Sequence, residues 1–186
     1  MDWVTREEWT RGTGTPHVVQ ALVWFIDGSR MKEGTVTGIY GQSLGRRLSI
    51  SLGRYATVFQ AEIYAIMACA HDVQFHRPEK HESICCDKQA ALNALQAART
   101  TSELVQQCQK ALNDISTRHA VGLYCVPGLA WVRGNEIVDQ LARDGSVQIC
   151  VGPEPNLGVS RQNKRRKISC WLVNQQWARW RGLGNT

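Results

Sequence analysis

Four carboxylates in this 186-residue chain stand where a merely solvated acid is not expected. Asp27 closes the branched and aromatic run Val18–Ile26 and, by the two-residue alternation of a strand, shares a face with Val23 and Phe25. Glu62 precedes Ile66, Cys69 and Val73 by four, seven and eleven residues, one helical stripe, which puts it at the edge of a packed face. Asp87 closes a second short apolar run, and Asp139 lies on the flank of an Ile137/Leu141 stripe. Any one of them alone is ordinarily a turn, cap or surface residue, because an Asp after a strand bonds its own backbone readily. Four in one half-buried cleft would differ, since like charges raise one another's pKa unless a cation compensates. An all-oxygen set suits hard divalent ions, Mg²⁺ or Mn²⁺.

The elements that must position these acids follow from periodicity. Val18–Ile26 predicts a strand buried on both faces and ending at the Asp27-Gly28-Ser29 turn. Thr35–Leu44 and the alternating Leu48–Leu52, split by Gly45-Arg46, predict a hairpin with one wet face. Thr57 can cap a helix whose Phe59, Ile63, Ile66, Ala70 and Val73 recur at helical spacing until Pro78 forbids continuation. A strand at Ser83–Asp87 follows, then helices at Gln89–Ala98 and from Ser102 through Ile115, a strand at Ala120–Val126 ended by Pro127-Gly128, and a helix at Asn135–Arg143. The order β-β-β-α-β-α-α-β-α predicts an α/β fold with a mixed sheet of five strands and helices against it.

Composition limits the alternatives. The longest apolar run, Ala21–Ile26, is far short of the roughly 20 residues of a membrane span, and MDWVTREEW lacks a signal peptide's apolar segment, so a cytoplasmic or nuclear protein is expected. Seven cysteines include no C-x-x-C pair and are expected as buried thiols. His71, His76, His81 and His119 are expected to be solvated. The charge is uneven: residues 1–150 carry 15 Lys or Arg and 15 Asp or Glu, whereas residues 151–186 carry seven and one. We therefore divide the chain into an irregular leader (1–16), a core domain (17–150) and, past Gly152-Pro153-Glu154-Pro155, a basic Trp-rich helical tail (151–186).

The blocks FIDGSRMKEG, ATVFQAEIYAI, CCDKQAALNAL and VPGLAWVRGNEIVDQLARDGS resemble the four acidic motifs of the ribonuclease H domain, in particular that of non-LTR retrotransposon polyproteins, over roughly residues 18–147. The resemblance implies a ribonuclease H-like fold, three antiparallel strands then parallel ones. It implies hydrolysis of the RNA strand of an RNA–DNA hybrid, with Asp27, Glu62, Asp87 and Asp139 as catalytic ligands of two Mg²⁺ or Mn²⁺ ions. Discrimination of RNA would use 2′-hydroxyl contacts near Gly28 and Ser29 and from the loop before Glu62.

This chain departs from the family at three positions. Leu129 replaces the histidine of the family's P-G-H-x-G loop and Trp131 its second glycine, while Lys88 follows the third acid where a small hydroxyl residue is usual. Leucine carries no proton, so reduced turnover is expected; Lys88 could either neutralise Asp87 or turn outward to phosphate. In the tail, Lys164, Arg165, Arg166 and Lys167 could neutralise phosphates, with Trp171, Trp177 and Trp180 either stacking on bases or packing back on the core. The alternative function is therefore a catalytically decayed ribonuclease H fold acting as a nucleic-acid-binding or interaction module.

Overall fold

The apolar run that leads to Asp27 forms the central strand of the sheet, β1 (Leu22–Arg30), buried from Leu22 through Gly28. The computed structural model describes residues 22–32, 34–75, 81–126, 132–147 and 154–183. The leader, residues 18–21 of the expected strand, and the loop holding Leu129 and Trp131 lie outside the described residues. β1 does not stop at Asp27 as the turn-forming triplet predicts. β2 (Thr35–Gly41) supplies backbone partners as far as Arg30↔Thr35, so ladder pairing overrides local turn preference. The chain turns instead where the Met31 amide donates to the Gly34 carbonyl at 2.9 Å.

β2 is shorter than predicted because residues 42–45 form the turn into β3 (Arg46–Ser51), with Gly45 at φ +61°. β4 (Glu82–Cys86) and β5 (Val121–Cys125) complete a five-stranded sheet of order β3-β2-β1-β4-β5, antiparallel from β3 to β1 and parallel from β1 to β5. This is the mixed sheet expected.

Helix α1 (Val58–Val73) begins at Thr57, whose side chain accepts from the Gln60 amide at 3.2 Å while Gln60 Oε1 accepts from the Thr57 amide at 3.1 Å. That reciprocal cap fixes the helix start. Its apolar stripe packs with α2 (Gln89–Gln96) and α3 (Glu103–Ser116) on the sheet face of Trp24, Ile26 and Ile84. Helix α4 (Arg133–Val147) covers the opposite face, that of Val23, Phe25 and Cys85. It starts two residues before the predicted Asn135, because the Val132 carbonyl already accepts from the Asn135 and Glu136 amides at 2.8 and 3.1 Å.

The packing of α4 is almost backbone to backbone. A Cβ on Gly38 would lie 2.5 Å from the Val138 carbonyl oxygen, and one on Gly145 would lie 1.8 Å from Ser49 Oγ. Ser49 itself donates to the Leu141 carbonyl at 3.2 Å, so this side of β3 meets a helix.

His119 is buried, contrary to its expected solvation: its amide folds back on the Ile115 carbonyl at 2.8 Å, which tucks it under the end of α3. Cys69, Cys85, Cys86 and Cys108 are buried thiols, whereas Cys170 is exposed. Among the described residues no helix is long and apolar enough to cross a membrane.

Helix α5 (Arg161–Leu183) is exposed from Arg161 to Arg181 apart from Asn163. Its root is held at the β3–α1 loop. Gln60 Nε2 donates to the Leu157 and Gly158 carbonyls at 3.2 Å each, the Asn163 amide donates to the Tyr55 carbonyl, and Lys167 lies over the Tyr55 ring. Leu157 packs with Leu52, Ala56 and Ala61. Because β3 runs parallel to β1, this root lies at the sheet edge where β1 and β4 also end.

Candidate active site

Strand register brings Asp27 and Asp87 together. Ile26 pairs with Cys86, so Asp27 and Asp87 follow side by side on adjacent strands. Asp27 keeps the face of Val23 and Phe25, toward α4, and α4 presents Asp139 from that side. A cleft of about 230 Å³ results, lined among others by Asp27, Asp87, Lys88, Asn135, Asp139 and Arg143.

Glu62 reaches the same place from α1. It is wholly buried rather than at the edge of the packed face, because Gly28 has no side chain: a Cβ there would lie 2.8 Å from the Ala61 Cβ and 3.2 Å from Glu62 Oε1. The Gly28 amide donates to Glu62 Oε1 at 2.7 Å and the Cys86 thiol lies 3.1 Å from Oε2. Of the two residues expected to meet a 2′-hydroxyl, Gly28 is thus buried with its N–H committed to Glu62, while Ser29 is partly exposed.

The electrostatics follow from crowding. Burial first, then the Asp87 and Asp139 charges, raise Asp27 to about 6 against the opposing Lys88 charge. Burial and the Asp27 charge push Glu62 up to about 8, although the Cys86 thiol and Gly28 amide hold it down in part. Burial keeps the Cys86 thiol protonated, hence a donor.

Lys88 turns inward. Its Nζ lies 2.7 and 2.6 Å from the two Asp87 oxygens and 3.6 Å from Asp27 Oδ1. Burial would lower its pKa, but the Asp87 hydrogen bonds and the surrounding carboxylates outweigh it and hold the ammonium above the ordinary lysine value. Arg143 likewise grips Asp139 with two contacts, of 3.0 and 2.8 Å.

The donor set fits hard divalent ions. Asp27, Glu62, Asp87 and Asp139 offer only oxygen. Among the described residues the group whose ligand atoms all lie within 4.8 Å of one another is Glu62, Cys86 and Asp87, which shares two of those acids and includes neither Asp27 nor Asp139. The Lys88 ammonium is itself a stand-in: two carboxylates converge on a point that a cation occupies.

No family model and no curated protein matches this chain. Among solved structures, the foamy viral protease-reverse transcriptase in complex with an RNA/DNA hybrid is similar, with a TM-score of 0.59 at 15% identity over 74% of this chain. The fold is ribonuclease H-like. The chain spans about a fifth of that relative, 21% of its length, and at this identity the likeness is one of fold.

On this ribonuclease H-like frame three of the four acids line one cleft; Glu62 is not part of that lining but has a carboxylate oxygen within 4.8 Å of one from Asp87. Lys164, Arg165, Arg166 and Lys167 lie elsewhere, exposed on α5. Sequence reasoning missed three neighbours of the acids. Asn135, whose buried Oδ1 has no hydrogen-bond partner, lines the cleft, and its four-residue spacing from Asp139 was a signal for it. The same spacing joins Arg143 to Asp139. Cys86 carried no signal beyond its place in the strand.

The raised carboxyls make stability depend on pH in a definite direction. Folded Glu62 keeps its proton up to about 8, whereas unfolded it loses it near its ordinary 4.5. The folded state therefore binds more protons in between, and stability present below 4.5 is lost as pH rises through about 8. Asp27 adds a smaller loss between 3.8 and about 6. Metal-free protein is expected to lose on the order of a few kcal/mol between pH 5 and 8.5. Glu62→Gln should flatten the upper part of that slope in thermal melts; an unchanged slope would show that Glu62 does not carry it.

Proposed function

We propose that this chain hydrolyses the RNA strand of RNA–DNA hybrids with two divalent metal ions, as a retroelement-derived domain of the non-LTR retrotransposon type. The observation that carries the reading is the convergence of Asp27, Asp87 and Asp139 on one cleft, backed by Glu62. Bound there, Mg²⁺ or Mn²⁺ would supply activation of a water and charge neutralisation at the scissile phosphate. The chain's own residues do the rest. Asp27, which feels the charges of Asp87 and Asp139 and itself bears on Glu62, would hold an ion together with them, and Gly28 N–H fixes the orientation of Glu62. Ser29, partly exposed beside them, offers its hydroxyl to a 2′-hydroxyl of the RNA. Degradation of an end-labelled hybrid with Mg²⁺ or Mn²⁺, compared with the same DNA duplex, tests this. Equal loss of both, or of neither, would contradict it.

A second reading is favoured by α5. The helix carries seven Lys or Arg and no acid, and Trp171, Trp177 and Trp180 are 60, 62 and 73% exposed. It is suited to phosphates through Lys164–Lys167 and to bases through the tryptophans, with or without turnover in the cleft. Removing residues 158–186 is expected to weaken hybrid binding by about tenfold or more at moderate salt and to reduce the salt dependence. Filter binding over a salt series measures this; unchanged affinity in the shortened protein would exclude α5 as the binder.

A further inference from the structure

The cleft's acids are already partly neutralised from within. Lys88 Nζ contacts both oxygens of Asp87 and lies 3.6 Å from Asp27, while its side chain is still 42% exposed. It thus has both a place among the carboxylates and an open way out. Arg143, also largely exposed, does the same for Asp139, but as a surface pair spaced i,i+4, which holds weakly.

We propose that Lys88 is a resident counter-cation of the metal site, so that a divalent ion enters between Asp27 and Asp87 only by displacing the Lys88 ammonium into solvent. This deepens the reading of the cleft as a metal site and rests on it. The physical case is one of competition. An ammonium is a compact point charge on a flexible four-carbon stem, and it satisfies the same oxygens that an ion would use. In the metal-free protein it relieves the repulsion between Asp27 and Asp87. Once displaced, it is free to meet the phosphate that an ion would bring in. The competition costs metal affinity and leaves the metal-free fold better balanced.

Mn²⁺ titration of the full chain, followed by the electron paramagnetic resonance of the free ion at constant pH and ionic strength, tests this with Lys88→Ser and Lys88→Arg. Removing a unit charge from within hydrogen-bond reach of the ligands is expected to tighten Mn²⁺ binding by about tenfold or more in Lys88→Ser. Lys88→Arg, which keeps the charge, should bind as the parent does. Lys88→Ser should also melt lower without metal and gain more from added Mn²⁺, with an unchanged circular dichroism spectrum. Equal Mn²⁺ affinity in Lys88→Ser and parent overturns the proposal, as does a loss of hybrid affinity with unaltered metal binding, which would make Lys88 a phosphate contact only. Tighter Mn²⁺ binding in a Lys88→Ser protein that leaves hybrid intact supports the counter-cation and overturns the hydrolytic reading instead.

Discussion

Asp27→Asn is expected to lower divalent-ion-dependent cleavage of an RNA–DNA hybrid by on the order of 10³-fold or more, about 4 kcal/mol of barrier. Asp27 stands between the others: its charge bears on Glu62, it is adjacent in register to Asp87, and Asp139 faces it from α4. Asparagine keeps the size and one carbonyl oxygen but removes the charge that a metal ion requires. The fold should not suffer. Burial makes the ionised Asp27 carboxylate unfavourable at neutral pH, so a neutral isostere is expected to melt no lower than the parent. The rate of hybrid loss and the melting midpoint, measured on the same preparation, separate the two effects. Cleavage at the parent rate would remove Asp27 from the chemistry and with it the metal reading of the cleft.

Gly38→Val has its largest effect on folding. Gly38 pairs with Asp27 in β1 and with Ser49 in β3, and the face it presents is filled by the backbone of α4. A Cβ would lie 2.5 Å from the Val138 carbonyl oxygen and 3.0 Å from the Ala142 nitrogen. Neither atom is the end of a flexible side chain, so relief requires the helix itself to move off the sheet. Overpacking of that kind costs about 3 kcal/mol or more, at or beyond the usual range for inserted methyl groups. A displaced α4 would also carry Asp139 away from Asp27, so activity should fall further than stability alone explains. Urea denaturation read by tryptophan fluorescence checks the first effect; a midpoint within error of the parent would mean that α4 does not pack as described.

Much of this was legible in the chain and some was not, for identifiable reasons. The order of the elements and the mixed sheet followed from periodicity, because a buried strand and a striped helix leave different spacings in sequence. The stripe through Glu62, Ile66, Cys69 and Val73 identified the right face of α1, but periodicity could not say that the opening left by Gly28 would let Glu62 be buried completely. The end of β1 was misplaced because Asp27-Gly28-Ser29 reads locally as a turn, while the partners that extend it as a strand come from β2. Gly38 carried no signal of its own, since its meaning lies in a helix about a hundred residues further along the chain. Lys88 was undecided from sequence: a lysine beside an aspartate can point either way, and only the register that sets Asp27 next to Asp87 gives its ammonium two partners on one side.

The rooting of α5 has a consequence for reach. At 1.5 Å per residue its 23 residues span about 34 Å, roughly the distance covered by ten successive phosphates of one nucleic-acid strand. The root is pinned at the sheet edge where β1 and β4 end, through Gln60, two residues before Glu62. A duplex held along such an arm would stay tethered to the domain that carries the cleft, which raises its local concentration there even if the cleft itself gripped it weakly. Capture and chemistry could then be divided between two parts of the chain, one that holds the strand and one that only has to cut it.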